Sequence, residues 1–188
     1  MRVSKAKVAE HRTAILESAS RLFRERGFND VGVAEIMQAS GLTHGAFYGH
    51  FRSKAELAGE ACREACAEGL AGWKKTGDIG TIIDRYLSTT HRDAPAKGCA
   101  ISALAADIAR EGPQMQQDYA GGIRRFIGTI EDHLKEADAE ARHRKAIAIF
   151  ATMTGALTMA RGVAEGDPAL SVEILENARA QLRACFGI

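Results

Sequence analysis

Between Gly41 and Lys54 the chain reads GLTHGAFYGHFRSK, a short stretch dense in side chains that suit contact with a nucleic acid. His44 can donate a hydrogen bond to a purine acceptor, Tyr48 offers a hydroxyl to a phosphate and a ring to a groove wall, and His50 offers an N–H to the sugar–phosphate backbone. Gly45, without a side chain, lets two backbones approach closely. Ala46 can touch a thymine methyl but cannot hydrogen-bond a base. Lys54 adds its charge to a helix N-terminus, where the peptide dipoles already favour an anion.

These groups need a scaffold, and the flanking residues describe one. Thr43 is a good N-cap type, and Phe47 and Phe51 fall at i, i+4, which anchors a short helix on one face and leaves His44, Gly45 and Tyr48 facing elsewhere. Upstream, Val33 to Ser40 places Val33, Ile36 and Met37 on one helical face, and Gly41 is suited to the positive φ that ends such a helix. Two short helices joined by a tight turn form a helix-turn-helix, and its second helix is the one expected to enter a major groove. Ser53 with Glu56 three residues later reads as a capping box opening the next helix.

The block from Gly27 and Phe28 through Val33–Ser40 to GLTHGAFYGHFRSKAEL resembles the DNA-binding domain of the TetR/AcrR family of bacterial transcriptional regulators. The resemblance covers roughly the first 60 residues. It departs from the family where relatives commonly cap the second helix with Thr or Ser, since Val31 and Gly32 stand there. A glycine cap preserves the fold but cannot supply a side-chain phosphate contact. What the resemblance implies is an effector pocket within the C-terminal helices and a homodimer in which the last two helices pair with their copies in a four-helix bundle.

Charge supports the division. The net charge of +1 hides nine Lys or Arg against five acids in residues 1–54, and 16 against 19 in the remainder. A basic N-terminal third suits a phosphate-facing module, with Lys5 and Lys7 as further phosphate candidates. With 188 residues, 46% apolar, the chain can bury a sizeable core. No run of 18 apolar residues and no secretory pattern is evident, so the expected location is cytoplasmic, with no membrane partner. Four cysteines without a CxxC pair fit a reducing compartment.

The rest of the chain reads as helical throughout. Lys5–Gly27 forms the first helix, with Val8, Ile15, Ala19, Leu22 and Phe23 as its apolar face. Further helices are expected over Lys54–Lys74, Thr81–His91, Cys99–Arg110, from Pro113, over Ala139–Ala164, and from Pro168 after an Asp167 cap. The expected fold is therefore all-α with about nine helices: a three-helix DNA-binding head over residues 1–53, then a larger helical regulatory and dimerisation domain over 54–188.

Aromatic and methionine residues of that domain, Trp73, Tyr86, Leu104, Met115, Tyr119, Phe126, Phe150 and Met153, are candidate walls for a flat or flexible apolar ligand, and each also suits an ordinary core. Cys99 follows Lys97 and Gly98 at an expected helix start, where dipole and cation would lower a thiol pKa and permit thiol sensing. Cys62 and Cys66 have i, i+4 spacing but no third ligand nearby, so no metal and no cofactor is expected.

These readings converge on a homodimeric regulator, foremost a repressor, of a palindromic double-stranded DNA operator, released by a small-molecule effector or by thiol modification. The absence of HExxH, G-x-S-x-G and phosphate-cradling glycine loops speaks against an enzyme. A cysteine-dependent enzyme using Cys99 and a helical partner-binding module are the alternative readings.

Overall fold

The computed structural model describes residues 4–187 and is built, among these residues, from nine α-helices and two 3-10 helices, with no strand. Helix α1 (Lys5–Arg26) is capped by Ser4, whose Oγ accepts from the Lys7 amide at 3.2 Å. It stops at Gly27, whose φ of 81° favours glycine. Its core face is Ile15, Ala19, Leu22 and Phe23; Val8, expected on that face, is exposed.

Helix α2 (Val33–Ala39) starts from Gly32 without a side-chain cap, as the sequence implied. It ends in a Schellman motif: the Leu42 amide bonds to Met37 O at 2.8 Å and the Gly41 amide to Gln38 O at 3.0 Å, with Gly41 at φ 72°. The second helix of the pair departs from expectation. It is a six-residue 3-10 helix (His44–Gly49), and the Thr43 side chain makes no capping bond to it. Glycines at 45 and 49 weaken an α-helix here, so the segment depends on its anchors. Phe47 and Phe51 are both fully buried and stack at 5.9 Å. Truncating either ring to alanine would cost about 3–5 kcal/mol.

Helix α3 (Lys54–Lys74) opens with the expected box: Ser53 Oγ accepts from the Glu56 amide at 3.1 Å, while Glu56 reaches back to the Arg52 amide at 2.6 Å. Beyond it the expected single helix over Thr81–His91 is two, α4 (Ile79–Tyr86) and α5 (Thr89–Arg92). Ser88 divides them, because its hydroxyl caps α5 by accepting from the His91 amide at 3.1 Å. A 3-10 turn (Pro95–Lys97) leads into α6 (Ala100–Ile108), followed by α7 (Pro113–Glu131), α8 (Ala139–Val163) and α9 (Pro168–Phe186). Asp167 caps α9 and Pro168 opens it, as read from the sequence.

Head and body share one apolar core running from Ile15 through Leu57 and Ile101 to Leu182. Polar links also cross between them. Arg12 forks onto both Glu60 oxygens at 2.7 Å and lies 4.6 Å from the Phe51 ring centre. The Phe28 amide donates to Asp107 of α6 at 3.2 Å, and Arg24 of α1 donates to Gly98 O at 3.0 Å. Helix α8 is long and apolar enough, by length and composition, to cross a membrane, yet it packs against α7 and α9, and 39% of its most apolar 18-residue window is buried.

Candidate nucleic-acid interface and body cavities

The 3-10 helix presents its outer face to solvent because Phe47 commits the opposite face to the core. Tyr48 is 69% exposed, its ring edge-on to Phe47 at 5.2 Å and to His44 at 6.3 Å. Thr43, His44 and Gly45 are exposed, Ala46 is half-buried, and a Cβ at Gly45 would meet nothing within 4 Å. The Thr43 hydroxyl, unused as a cap, is free for an outside partner. Lys54 starts α3 beside this surface, half-buried, and has no carboxylate partner among the described residues. Arg52 is exposed and likewise unpaired; the sequence reading passed over it, although its position two residues before Lys54 signalled it.

Two expected contacts change. His50 ends the 3-10 helix with its Nδ1 enclosed and unpartnered, and its ring lies 6.1 Å from that of His11. Burial, then the neighbouring His11 and Arg12, push its pKa below the usual imidazole value, so the ring favours the neutral form, which keeps a single N–H to donate. Lys7 is engaged with Glu10 at 2.9 Å, which leaves Lys5 as the freer of the two N-terminal lysines.

The aromatic residues nominated in the body are partly gathered. Trp73, Tyr86, Phe126 and Phe150 form one ring cluster, with Trp73 4.8 Å from Phe126 and 5.9 Å from Tyr86, and Phe126 stacked on Phe150 at 5.2 Å. Leu104 and Met153 are fully buried core residues that line no cavity described below. Met115 lies away, against a cleft between α3 and α7.

Three cavities touch the cluster. A cleft of about 510 Å³ between α6, α7 and α8 is lined by Tyr119, Ile123 and Phe150. A second of about 680 Å³ runs over Trp73, Tyr86 and His91, and a recess of about 280 Å³ behind it reaches Cys99, Phe126 and Arg24. The last two share Trp73, Tyr86, His91 and Lys97.

Cys99 departs from the expected reactive thiol. It stands at the N-cap position of α6 with extended backbone, not within its first turn, and it is buried. Burial pushes its thiol above the ordinary value, outweighing the hydrogen bonds from Tyr86, Ser102 and Ile101 that act the other way. Its amide donates to His91 Nε2 at 3.1 Å, and His91 Nδ1 then donates to Tyr86 O at 2.8 Å. Cys62 and Cys66 are buried packing residues; the hydrogen bond with Cys62 and then burial drive the Cys66 thiol far up. Among the described residues no three His, Cys, Asp or Glu side chains converge to hold a metal.

Residues 15–61 match the family model for bacterial regulatory proteins of the TetR family, and residues 77–173 match that for the C-terminal domain of LmrA/YxaF-like transcriptional regulators. The chain is 35% identical over 143 residues to the HTH-type transcriptional repressor Rv1474c of Mycobacterium tuberculosis (76% of this chain, 74% of the relative). With the HTH-type transcriptional repressor BepR of Brucella suis it shares 46% identity over 57 residues in the head, spanning 30% of this chain and 27% of that relative. A TetR transcriptional regulator from Chloroflexus aurantiacus superposes with a TM-score of 0.77 at 25% identity, covering 95% of each chain. The reduced form of NemR from E. coli gives 0.75 at 21% identity, over 93% of this chain and 95% of that one, and shares the fold. The chain belongs to the TetR family of bacterial regulatory proteins, and is a DNA-binding transcriptional regulator and not an enzyme.

Proposed function

We propose that this protein is a homodimeric repressor of a palindromic operator, with residues 1–53 as the DNA-binding head and 54–188 as the body that dimerises and binds a small-molecule effector. The observation that carries the reading is the surface of Thr43, His44, Gly45, Ala46 and Tyr48, held outward on buried Phe47 and Phe51 and flanked by unpaired Arg52 and Lys54. Tyr48 and Lys54 hold the phosphates; His44 and Ala46 face bases, with groove shape adding to the specificity. His50 supports this surface from behind. Relatives at 35% and 46% identity are named as repressors, which favours repression over activation.

One such 3-10 helix reads too few bases to define a site, so two are required, about 34–36 Å apart on successive turns of the duplex. The exposed apolar residues of α8 and α9, Met159 at 58% and Leu170 at 41%, suit the partner's copy of the same helices. Effector binding in the body would change the separation of the two heads, to the extent that it favours one conformation. Release through Cys99 is the weaker variant, because that thiol is buried and held protonated. Such a regulator acts in the cytoplasm.

Selection of random duplex DNA by the purified protein, followed by affinity measurements over a range of salt, tests this. The expected result is an enriched palindrome whose affinity falls linearly with salt on logarithmic axes, and which Tyr48→Ala or Lys54→Ala weakens about tenfold or more. No enrichment, or binding indifferent to both substitutions, would overturn it and return attention to a helical partner-binding module. Sedimentation gives the oligomeric state, and Met159→Glu is expected to yield monomers.

A further inference from the structure

We propose that the effector site is the pair of adjoining cavities over Trp73 and Tyr86, and that it takes a flat aromatic monoanion such as an arenecarboxylate or a phenolate. The inference rests on the regulator reading above and adds a ligand class to it. Three observations carry it.

The first is an uncommitted donor. Tyr86 is 4% exposed, lines both the 680 Å³ cleft and the 280 Å³ recess, and its enclosed hydroxyl makes no hydrogen bond of ordinary geometry, its polar neighbours being the weakly accepting Cys99 thiol and the Ser102 hydroxyl. A buried phenol left unpaired is uncommon, because a hydroxyl removed from water without a partner is destabilising; a ligand oxygen that accepts from it removes that cost. The neighbouring imidazole does not fill the role, since His91 spends both ring nitrogens, on Tyr86 O and on the Cys99 amide.

The second is the wall. The Trp73 indole meets Tyr86 and Phe126 edge-on, at 78° and 67°, and reaches both cavities, so a planar ligand finds an aromatic surface there. The third is charge. Of the ionisable groups that line the two cavities, Asp84 is paired with Arg183 at 2.5 Å, and Glu68 with Arg24 at 3.6 Å. Lys97, at the junction of the two cavities, and Arg85, at the outer one, have no carboxylate partner among the described residues. The charge left for a ligand is positive.

The 510 Å³ cleft on the other side of the rings offers a contrast. Its hydroxyls are already engaged: Tyr119 donates to Ile101 O at 2.7 Å, Thr154 to Phe150 O at 2.8 Å and Thr158 to Thr154 O at 2.9 Å. That cleft suits an apolar occupant and recognises no anion. The chosen cavity also adjoins the head, because the recess is closed by Arg24 of α1 and by Gly98, which are bonded to each other at 3.0 Å. A ligand seated there presses on the segment that holds α1.

Equilibrium dialysis of the full-length protein against 2-naphthoate and its neutral isostere 2-naphthamide tests the assignment. The expected result is saturable binding of naphthoate, with naphthamide about tenfold weaker or more. Tyr86→Phe should weaken naphthoate about tenfold, and Lys97→Gln about threefold, the latter effect shrinking at high salt. Tyr86→Phe removes only an unpaired hydroxyl, so its melting temperature should equal or exceed that of the unaltered protein, which checks its fold. Tyr119→Phe should leave naphthoate affinity unchanged. Equal affinity for acid and amide, or a loss caused by Tyr119→Phe and not by Tyr86→Phe, would overturn the assignment. If naphthoate does not bind while the selected operator still does, the ligand class falls and the regulator reading stands; if the operator fails as well, both fall.

Discussion

Substituting Gly98 by alanine probes the junction of the strap before α6 with α5 and α8. Gly98 has φ −84° and ψ −173°, a conformation open to any residue, so the substitution brings no backbone strain and by chain entropy alone would stabilise by about 0.4–1 kcal/mol. The new methyl, however, would lie 2.6 Å from Arg161 Nη2 and 3.0 Å from His91 Nε2. A flexible arginine could step aside at little cost, but this one is tied at three points: Nη2 donates to His91 O at 2.8 Å, Nε to Arg92 O at 3.1 Å and Nη1 to Ser102 Oγ at 3.3 Å. The His91 ring is likewise pinned at both nitrogens. Moving the guanidinium gives up at least one largely buried charged hydrogen bond, about 1.5–3 kcal/mol, so the net effect is a loss of about 1–2 kcal/mol. For a chain of this size that corresponds to a melting temperature roughly 2–8 °C lower. Thermal unfolding followed by the fluorescence of the single tryptophan, at fixed protein concentration, measures it. Gly121→Ala is the control, since a Cβ there meets nothing within 4 Å inside helix α7, and it should raise stability by about 0.5–1 kcal/mol. If Gly98→Ala is as stabilising as Gly121→Ala, the Arg161 anchor is not fixed as argued.

Further outcomes follow from other contacts. Gly122→Ala would bring a methyl to 3.0 Å from Cys66 Sγ and 3.4 Å from Ile101 Cδ1, costing about 1–3 kcal/mol. Adding Cys66→Ala should recover much of that, and a double-mutant cycle showing no coupling would exclude direct contact as the cause. Burial holds the His91 and His50 pKa values below the ordinary 6.5. Both are neutral when folded, so below that value the unfolded chain binds more protons, and stability should fall as pH drops from about 7.5 to about 5, by at most about 1.4 kcal/mol per pH unit for each group. Melting temperatures over that range should fall, and His91→Gln should flatten the profile; a profile that rises toward acid would contradict the sign.

The features legible in the sequence were those set by a single residue's backbone or cap chemistry. Gly27, Gly41, Ser53 with Glu56, and Asp167 with Pro168 each terminate or open a helix where their types require it. Other features depended on competition between neighbours. Ser88 can sit inside a helix or cap one; here it caps α5, next to the buried Leu87. Thr43 is a good cap type, but with glycines at 45 and 49 the segment settles into a 3-10 helix that does not use it. Cys99 shows the same limit in electrostatics. Lys97 two residues away suggested a lowered pKa, whereas three-dimensional burial, invisible in the sequence, reversed the direction. The ring cluster was legible as a set of residues but not as a division into separate cavities, because that depends on how helices distant in sequence pack around the rings.

The Arg24–Gly98 and Phe28–Asp107 bonds bear on how regulators of this kind exchange parts. A recombination point near residue 53 would look like a clean seam in the linear chain, yet a transplanted head arrives with an arginine and an amide that seek a particular carbonyl and a particular carboxylate in the recipient. Hybrid proteins joined there would recognise DNA normally and still be deaf to their effector, unless a carboxylate at position 107 travels with the head and the recipient's backbone sets a carbonyl where Gly98 has one.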